Sequence, residues 1–150
     1  MNKTILTLFG LTFLLAPACV TIKTPDGYAE RDRTGRYRYV AVSTDASRLT
    51  MRVRKNEDKE KGTLSFWAEA ARKHMALSRG YEVKEEGKFR AGQGPGHWIL
   101  FSKKYSGADY LYLLGLVIDG RKIYVLEGGG EQPVFEKDIP KLVKAFETLD

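Results

Sequence analysis

YLYLLGLVIDGRKIYVLE, residues Tyr110–Glu127, is the stretch from which the fold is read. Two apolar runs flank Asp119-Gly120, a dipeptide favoured in two-residue hairpin turns because both positions tolerate positive φ. A turn there predicts that Ile118 faces Arg121, Leu116 pairs with Ile123, Leu114 with Val125 and Tyr112 with Glu127. Leu111, Leu113, Val117, Tyr124 and Leu126 then fall on the opposite face. Both faces are largely apolar, so the hairpin belongs at the centre of an antiparallel sheet and needs cover on each side.

The flanking sequence offers that cover. Leu64, Trp67, Ala68, Ala71, Met75 and Ser78 recur at helical spacing, with Thr63 as the amino-terminal cap and Gly80 as the stop. A second stripe, Ile139, Leu142, Val143, Phe146 and Leu149, predicts a helix over 139–149 with Asp138 as its cap and Pro140 in the first turn. Alternation over Tyr37–Val42 and Leu49–Val53 predicts two strands joined by a loop at Ser43–Ser47, and Asn56–Lys61 reads as a charged loop. Tyr81–Val83 restarts extended structure, and Gly92–Gly96 reads as a break before the apolar run Trp98–Phe101. The order is strands, helix, strands, helix. The expected class is α+β, a single domain with an antiparallel β-sheet sandwiched between helices.

The chain opens with Lys3, an uncharged apolar run from Ile5 to Leu15, and Ala16-Pro17-Ala18-Cys19. That is the layout of a secretory leader, and the run is too short to span a bilayer as a helix. An ordinary signal peptidase and a lipoprotein peptidase would share a cut after Ala18. The arrangement resembles the lipobox of bacterial lipoproteins, from which it departs at Ala16 and Pro17, and the resemblance implies that Cys19 is acylated as the new terminus. Cys19 is the only cysteine, so the folded part has no internal disulfide and its stability must come from apolar burial. The expected organisation is a leader over 1–18, a lipid-anchored tether and lead-in over 19–36, and the sandwich over 37–150. Val20, after the cysteine, permits the outer membrane by similarity to sorting in enteric bacteria; the expected location is the cell envelope, lipid-anchored in the outer membrane facing the periplasm, with the outer leaflet of the inner membrane as the alternative.

The order of elements is similar to the PsbP-like and Mog-like fold. The resemblance includes Asn56–Trp67 leading into the first helix, Gly80-Tyr81 closing it, the Tyr110–Glu127 hairpin, and the Gly128-Gly129-Gly130 exit, read as a tight turn, before the last helix. It covers most of the chain beyond the leader and rests on no diagnostic motif. It implies an α/β/α sandwich used for binding, in a group whose members are usually not enzymes and include photosystem II extrinsic subunits, a Ran-binding nuclear factor and bacterial lipoproteins. Fold alone does not give function.

Catalytic chemistry finds no constellation to rest on. The two histidines, His74 and His97, have no cysteine beside them, and no spacing suggests the three or four ligands of a metal site. No Gly-x-Ser-x-Gly occurs, and neither glycine run is followed by the Lys-Ser or Lys-Thr of a P-loop. No cofactor is implied. Two surfaces stand out. Arg36, Arg38, Arg48, Arg52 and Arg54 interleave with Tyr37 and Tyr39 around the first strands. Guanidinium forks and flat phenol faces suit phosphates, acidic glycans or lipid headgroups; a solvated edge that discourages sheet-to-sheet pairing is the plainer reading. Trp98 with Gly128, Gly129 and Gly130, flanked by Glu127 and Glu131, is a candidate pocket rim for a small ligand. The chain carries 25 basic and 19 acidic residues, net +6, and export argues against nucleic acid as the partner of this charge. The functional expectation is a non-catalytic, lipid-anchored envelope protein binding a partner protein or an anionic lipid or glycan. A periplasmic small-molecule binding or sensor lipoprotein is the alternative.

Overall fold

The computed structural model describes residues 20–57 and 62–150. Cys19, the leader, and residues 58–61 of the predicted charged loop lie outside the described residues. Seven strands form one antiparallel sheet: β1 (Tyr28–Glu30), β2 (Tyr39–Ser43), β3 (Arg48–Lys55), β4 (Glu82–Ala91), β5 (Gly94–Tyr105), β6 (Ala108–Asp119) and β7 (Lys122–Glu131). Their order across the sheet is β1-β2-β3-β7-β6-β5-β4, so the β6–β7 hairpin is central, as its two apolar faces require.

The hairpin register differs from the predicted one by two residues. Gly120 and Arg121 form the loop, Asp119 pairs with Lys122, Ile118 with Ile123, Leu116 with Val125 and Tyr112 with Gly129. The reason is in the pairs themselves: the predicted register sets the fully buried Val117 opposite Lys122, whereas the observed one sets it opposite Tyr124. Gly120 takes φ +51 at the first loop position. A shift of two leaves every side chain on its predicted face.

Helix α1 (Leu64–Arg79) lies over one face of the sheet, here called the α1 face. Thr63 Oγ1 accepts from the Phe66 amide, and Gly80 ends the helix at φ +67, as the capping residues predict. Thr63→Ala is expected to cost about 1 kcal/mol, read as a lower urea midpoint at unchanged m-value. The cover is thin. Ala68 is the one fully buried helix residue, Leu64, Trp67, Ala71 and Met75 are partly buried, and Ser78 of the predicted stripe is exposed.

The other face is tightly closed by α2 (Gln132–Phe135), a 3-10 turn at Glu136–Asp138 and α3 (Ile139–Phe146). Phe135, Leu142, Phe146 and Leu149 are fully buried against Leu49, Met51, Leu113 and Leu126. Asp138 does not cap α3 with its side chain. It accepts from Tyr28 Oη at 2.8 Å and meets Lys141 Nζ at 2.8 Å, tying the first strand to the last helix. Small residues let this layer close. A Cβ on Gly115 would sit 2.6 Å from the Phe146 ring, and the Phe89 and Trp98 rings lie over their cross-strand partners Gly96 and Gly87. Covering a strand glycine with an aromatic neighbour restores packing that the missing side chain gives up.

Three further expectations need correction. The segment read as a tether packs from Val20 onward: Val20 leans on the core, Thr21 and Asp150 exchange backbone hydrogen bonds, Ile22 and Tyr28 are buried, and Tyr28–Glu30 pairs with β2. Gly94-Pro95-Gly96 belongs to β5, and the strand begun at residue 82 runs on to Ala91. Gly128-Gly129-Gly130 lies inside β7, all three paired with β6 and Gly128 and Gly129 also with β3, not in an exit loop.

Candidate functional site

Alternation along β3 sends Leu49 and Met51 into the core and Arg48, Thr50, Arg52 and Arg54 to the α1 face. Because α1 packs on β4, β5 and β6, no helix among the described residues lies over the β1–β3 half of this face. Arg36 and Arg48 approach the Tyr37 ring from 5.6 and 5.1 Å, an arrangement that holds two cations side by side. Arg36, Arg38, Arg48 and Arg54 are exposed.

Arg52 is different. Its Nε lies 3.1 Å from Glu127 Oε2, with side-chain exposures of 19% and 18%, and Tyr112 Oη donates to Glu127 Oε1 at 2.7 Å. Burial, then the adjacent Glu127 carboxylate, pushes the Tyr112 phenol far above its ordinary range. Arg52 is therefore an internal counter-ion more than a free contact, and charge counting in the sequence could not separate it from its neighbours.

Three hollows meet at Tyr112. The first, about 380 Å³, runs between α1 and the sheet, floored by Leu114, Leu116, Ile123 and Val125, with Arg54 and Lys55 at its rim. The second, about 230 Å³, lies beside Tyr37, Arg48 and Glu127. The third, about 420 Å³, is a cleft among Tyr81, Tyr105, Tyr110 and Tyr112, with Lys103 against it. Gly129 floors the last two. Tyr110 and Tyr112 have same-face spacing that is visible in the sequence, and the predicted register sets Glu127 on the same face opposite Tyr112; the two meet on the diagonal, Tyr112 pairing with Gly129, while the approach of Tyr81 depends on strand pairing that the sequence does not show.

The predicted pocket rim is not assembled. Trp98 sits on the α3 side over Gly87, while Gly128 and Gly130 lie beneath Leu142 and Phe135. Gly129 borders both the second and the third hollow, with Gly128 beside it in the second and Gly130 in the third, but side chains at 128 and 130 would point to the α3 side, because successive residues of a strand point to opposite faces. His97 is part of a bracket that pins α1 to the sheet edge. Its Nε2 and Arg72 Nε both lie 2.9 Å from Glu86 Oε2, and His97, then Arg72, hold the Glu86 carboxyl below the usual range. His74 borders the groove. Among the described residues no group of three or more His, Cys, Asp or Glu side chains gathers as a metal site, and no helix is long and apolar enough to cross a membrane.

No protein-family model matches the sequence, and no curated protein sequence matches it. Solved structures do. Cyanobacterial PsbP (CyanoP) from Synechocystis superposes with a TM-score of 0.58 at 9% identity, over 95% of this chain and 98% of that one. LpqN of Mycobacterium tuberculosis, described as involved in cell envelope biogenesis, gives 0.58 at 14% identity over 87% and 79%. A Pseudomonas aeruginosa protein of unknown function gives 0.50 at 8% identity over 85% and 84%. The chain has the PsbP-like α+β fold, an antiparallel sheet with helical cover on both faces.

Proposed function

We propose that this chain is a non-catalytic cell-envelope protein, anchored through acylated Cys19, that binds an anionic envelope component with the β1–β3 half of its sheet. The observation that carries the reading is the Arg36–Tyr37–Arg48 cluster, with exposed Arg38 just before β2, at a part of the sheet that no helix among the described residues covers. Guanidinium groups held beside an aromatic face are preset to grip phosphate or carboxylate. The shared fold with an envelope protein of M. tuberculosis is consistent with the location and says nothing of the ligand. Because Val20 already leans on the core, a lipid on Cys19 would hold the domain close against the bilayer rather than on a long stalk. Val20 after the cysteine fits the outer membrane.

The test is retention of the purified protein on anionic vesicles and on an acidic polysaccharide, at low and physiological salt. Arg36→Glu/Arg38→Glu/Arg48→Glu is expected to bind about a hundredfold more weakly, since each cation near an anionic surface contributes about 1 kcal/mol. Because all three side chains are exposed, the melting temperature should change little. Binding that ignores both salt and charge reversal would remove this face from consideration.

A further inference from the structure

We infer that the groove between α1 and the sheet is a binding site for a single-chain amphipathic anion, an aliphatic chain ending in a carboxylate or phosphate. This goes beyond the face-binding reading and does not depend on it. The groove exists because of residue choice. Where α1 crosses the β6–β7 hairpin it presents Ala70 and Ala71, with Trp67 and Met75 on either side, so the helix stands off a wholly apolar floor. The resulting hollow of about 380 Å³ falls within the range of small-ligand sites, roughly 300 to 1,000 Å³. Leu114, Leu116, Ile123 and Val125 supply its floor and no acceptor or donor side chain, so the inner part of an occupant must be hydrocarbon.

The rim sets the other end of the ligand. Arg52 is committed to Glu127, and Lys55 to Glu57 at 3.0 Å. Arg54 borders the groove, exposed and without a carboxylate partner among the described residues. Its fork suits a carboxylate or phosphate head while the chain lies inward. The source of such a ligand can be a free fatty acid or a membrane lysophospholipid.

Trp67 lines the groove, and Trp98 is the only other tryptophan. The full chain carrying Cys19→Ser and Trp98→Phe therefore reports on the site by Trp67 fluorescence. Octanoate, decanoate and dodecanoate are titrated in the absence of detergent, with decanol as the neutral match and lysophosphatidic acid as the membrane-derived arm. Saturable one-to-one binding is expected, tightening about fourfold per added methylene until the groove is full. Decanoate should bind about tenfold more tightly than decanol. Arg54→Gln, at an exposed position, should erase that preference, and Ala71→Phe should block both ligands. Absence of saturable binding, equal affinity for decanol and decanoate, or an Ala71→Phe protein that binds as before overturns the inference. Response to the fatty acids alone, or to lysophosphatidic acid as well, tells which source the site serves.

Discussion

Replacing Phe146 by alanine is expected to destabilise the protein by about 4 kcal/mol, the cost of emptying a fully enclosed aromatic site, and to lower the melting temperature by roughly 15 °C for a domain of this size. Phe146 is fully buried, its ring 5.9 Å from that of Phe89 and directly against Gly115. Gly115 is what makes the loss severe. A residue with a side chain on β6 could swing into the hole, but a glycine in a central strand has nothing to offer and its backbone is held by β5 and β7. The same contact predicts a coupling. Gly115→Ala alone places a Cβ 2.6 Å from the ring and should cost about 2 kcal/mol by overpacking. In the Phe146→Ala background the added methyl enters empty space, so the double variant should be more stable than the sum of the two losses by about 1 to 2 kcal/mol. Urea melts of the four proteins give the cycle. Strict additivity would show that Gly115 and Phe146 are not partners.

How the sequence bore on the fold can be seen in this hairpin. Tyr110–Glu127 announced its two faces because alternation has a period of two, and the register error was also two, so Leu113, Val117 and Leu126 were placed in the right core although their partners were wrong. What the local pattern could not supply was the pairing preference of buried Val117 for Tyr124 over Lys122, a property of two distant residues together. The glycines show the same limit. Gly128 and Gly130 were read as loop because local glycine clusters usually are; their actual reason is Phe135 and Leu142 overhead. Tyr28–Glu30 went unread because three residues are too few to show a period, and what fixes Tyr28 is Asp138, 110 positions away.

The candidate site divides along the same line. The outward arginines of β3 are legible from alternation, and the structure does present Arg48 and Arg54 to solvent. That Arg52 is neutralised follows only from the β3–β7 pairing, which brings Glu127 opposite Thr50 and within reach of Arg52. The groove beneath α1 was invisible for a different reason. The helical stripe of Leu64, Trp67, Ala71 and Met75 reads as core, and it is, but spacing does not say how far a helix rich in alanine will stand from its sheet.

Stability is expected to fall steeply above about pH 10, and the tyrosines are the cause. In the unfolded chain each phenol ionises near pH 10. In the fold, burial and then the hydrogen bond to and charge of Asp138 hold Tyr28 protonated well above that. Burial and then Glu127 do the same for Tyr112. A group whose folded pKa is raised contributes its full share below the unfolded value and loses it as pH climbs toward the folded one, because only the unfolded chain then releases the proton. Each such tyrosine removes at most about 1.4 kcal/mol per pH unit past 10. The two together can remove about 5 kcal/mol by pH 12, which is comparable with the whole stability of a small domain. Tyr39 and Tyr124, also raised first by burial, act in the same direction. Circular dichroism followed from pH 8 upward should show cooperative unfolding with a midpoint at about pH 11 to 12. Phenolate absorbance from the buried tyrosines should appear with that loss and not before it. Tyr28→Phe and Tyr112→Phe remove the titrating group while keeping the ring, so each should move the alkaline midpoint upward relative to the stability at pH 8. If all eight tyrosines ionised near pH 10 with the dichroism intact, the burial assigned to Tyr28 and Tyr112 would be wrong. With it would go the Tyr112–Glu127–Arg52 cluster that separates the free arginines of this face from the committed one.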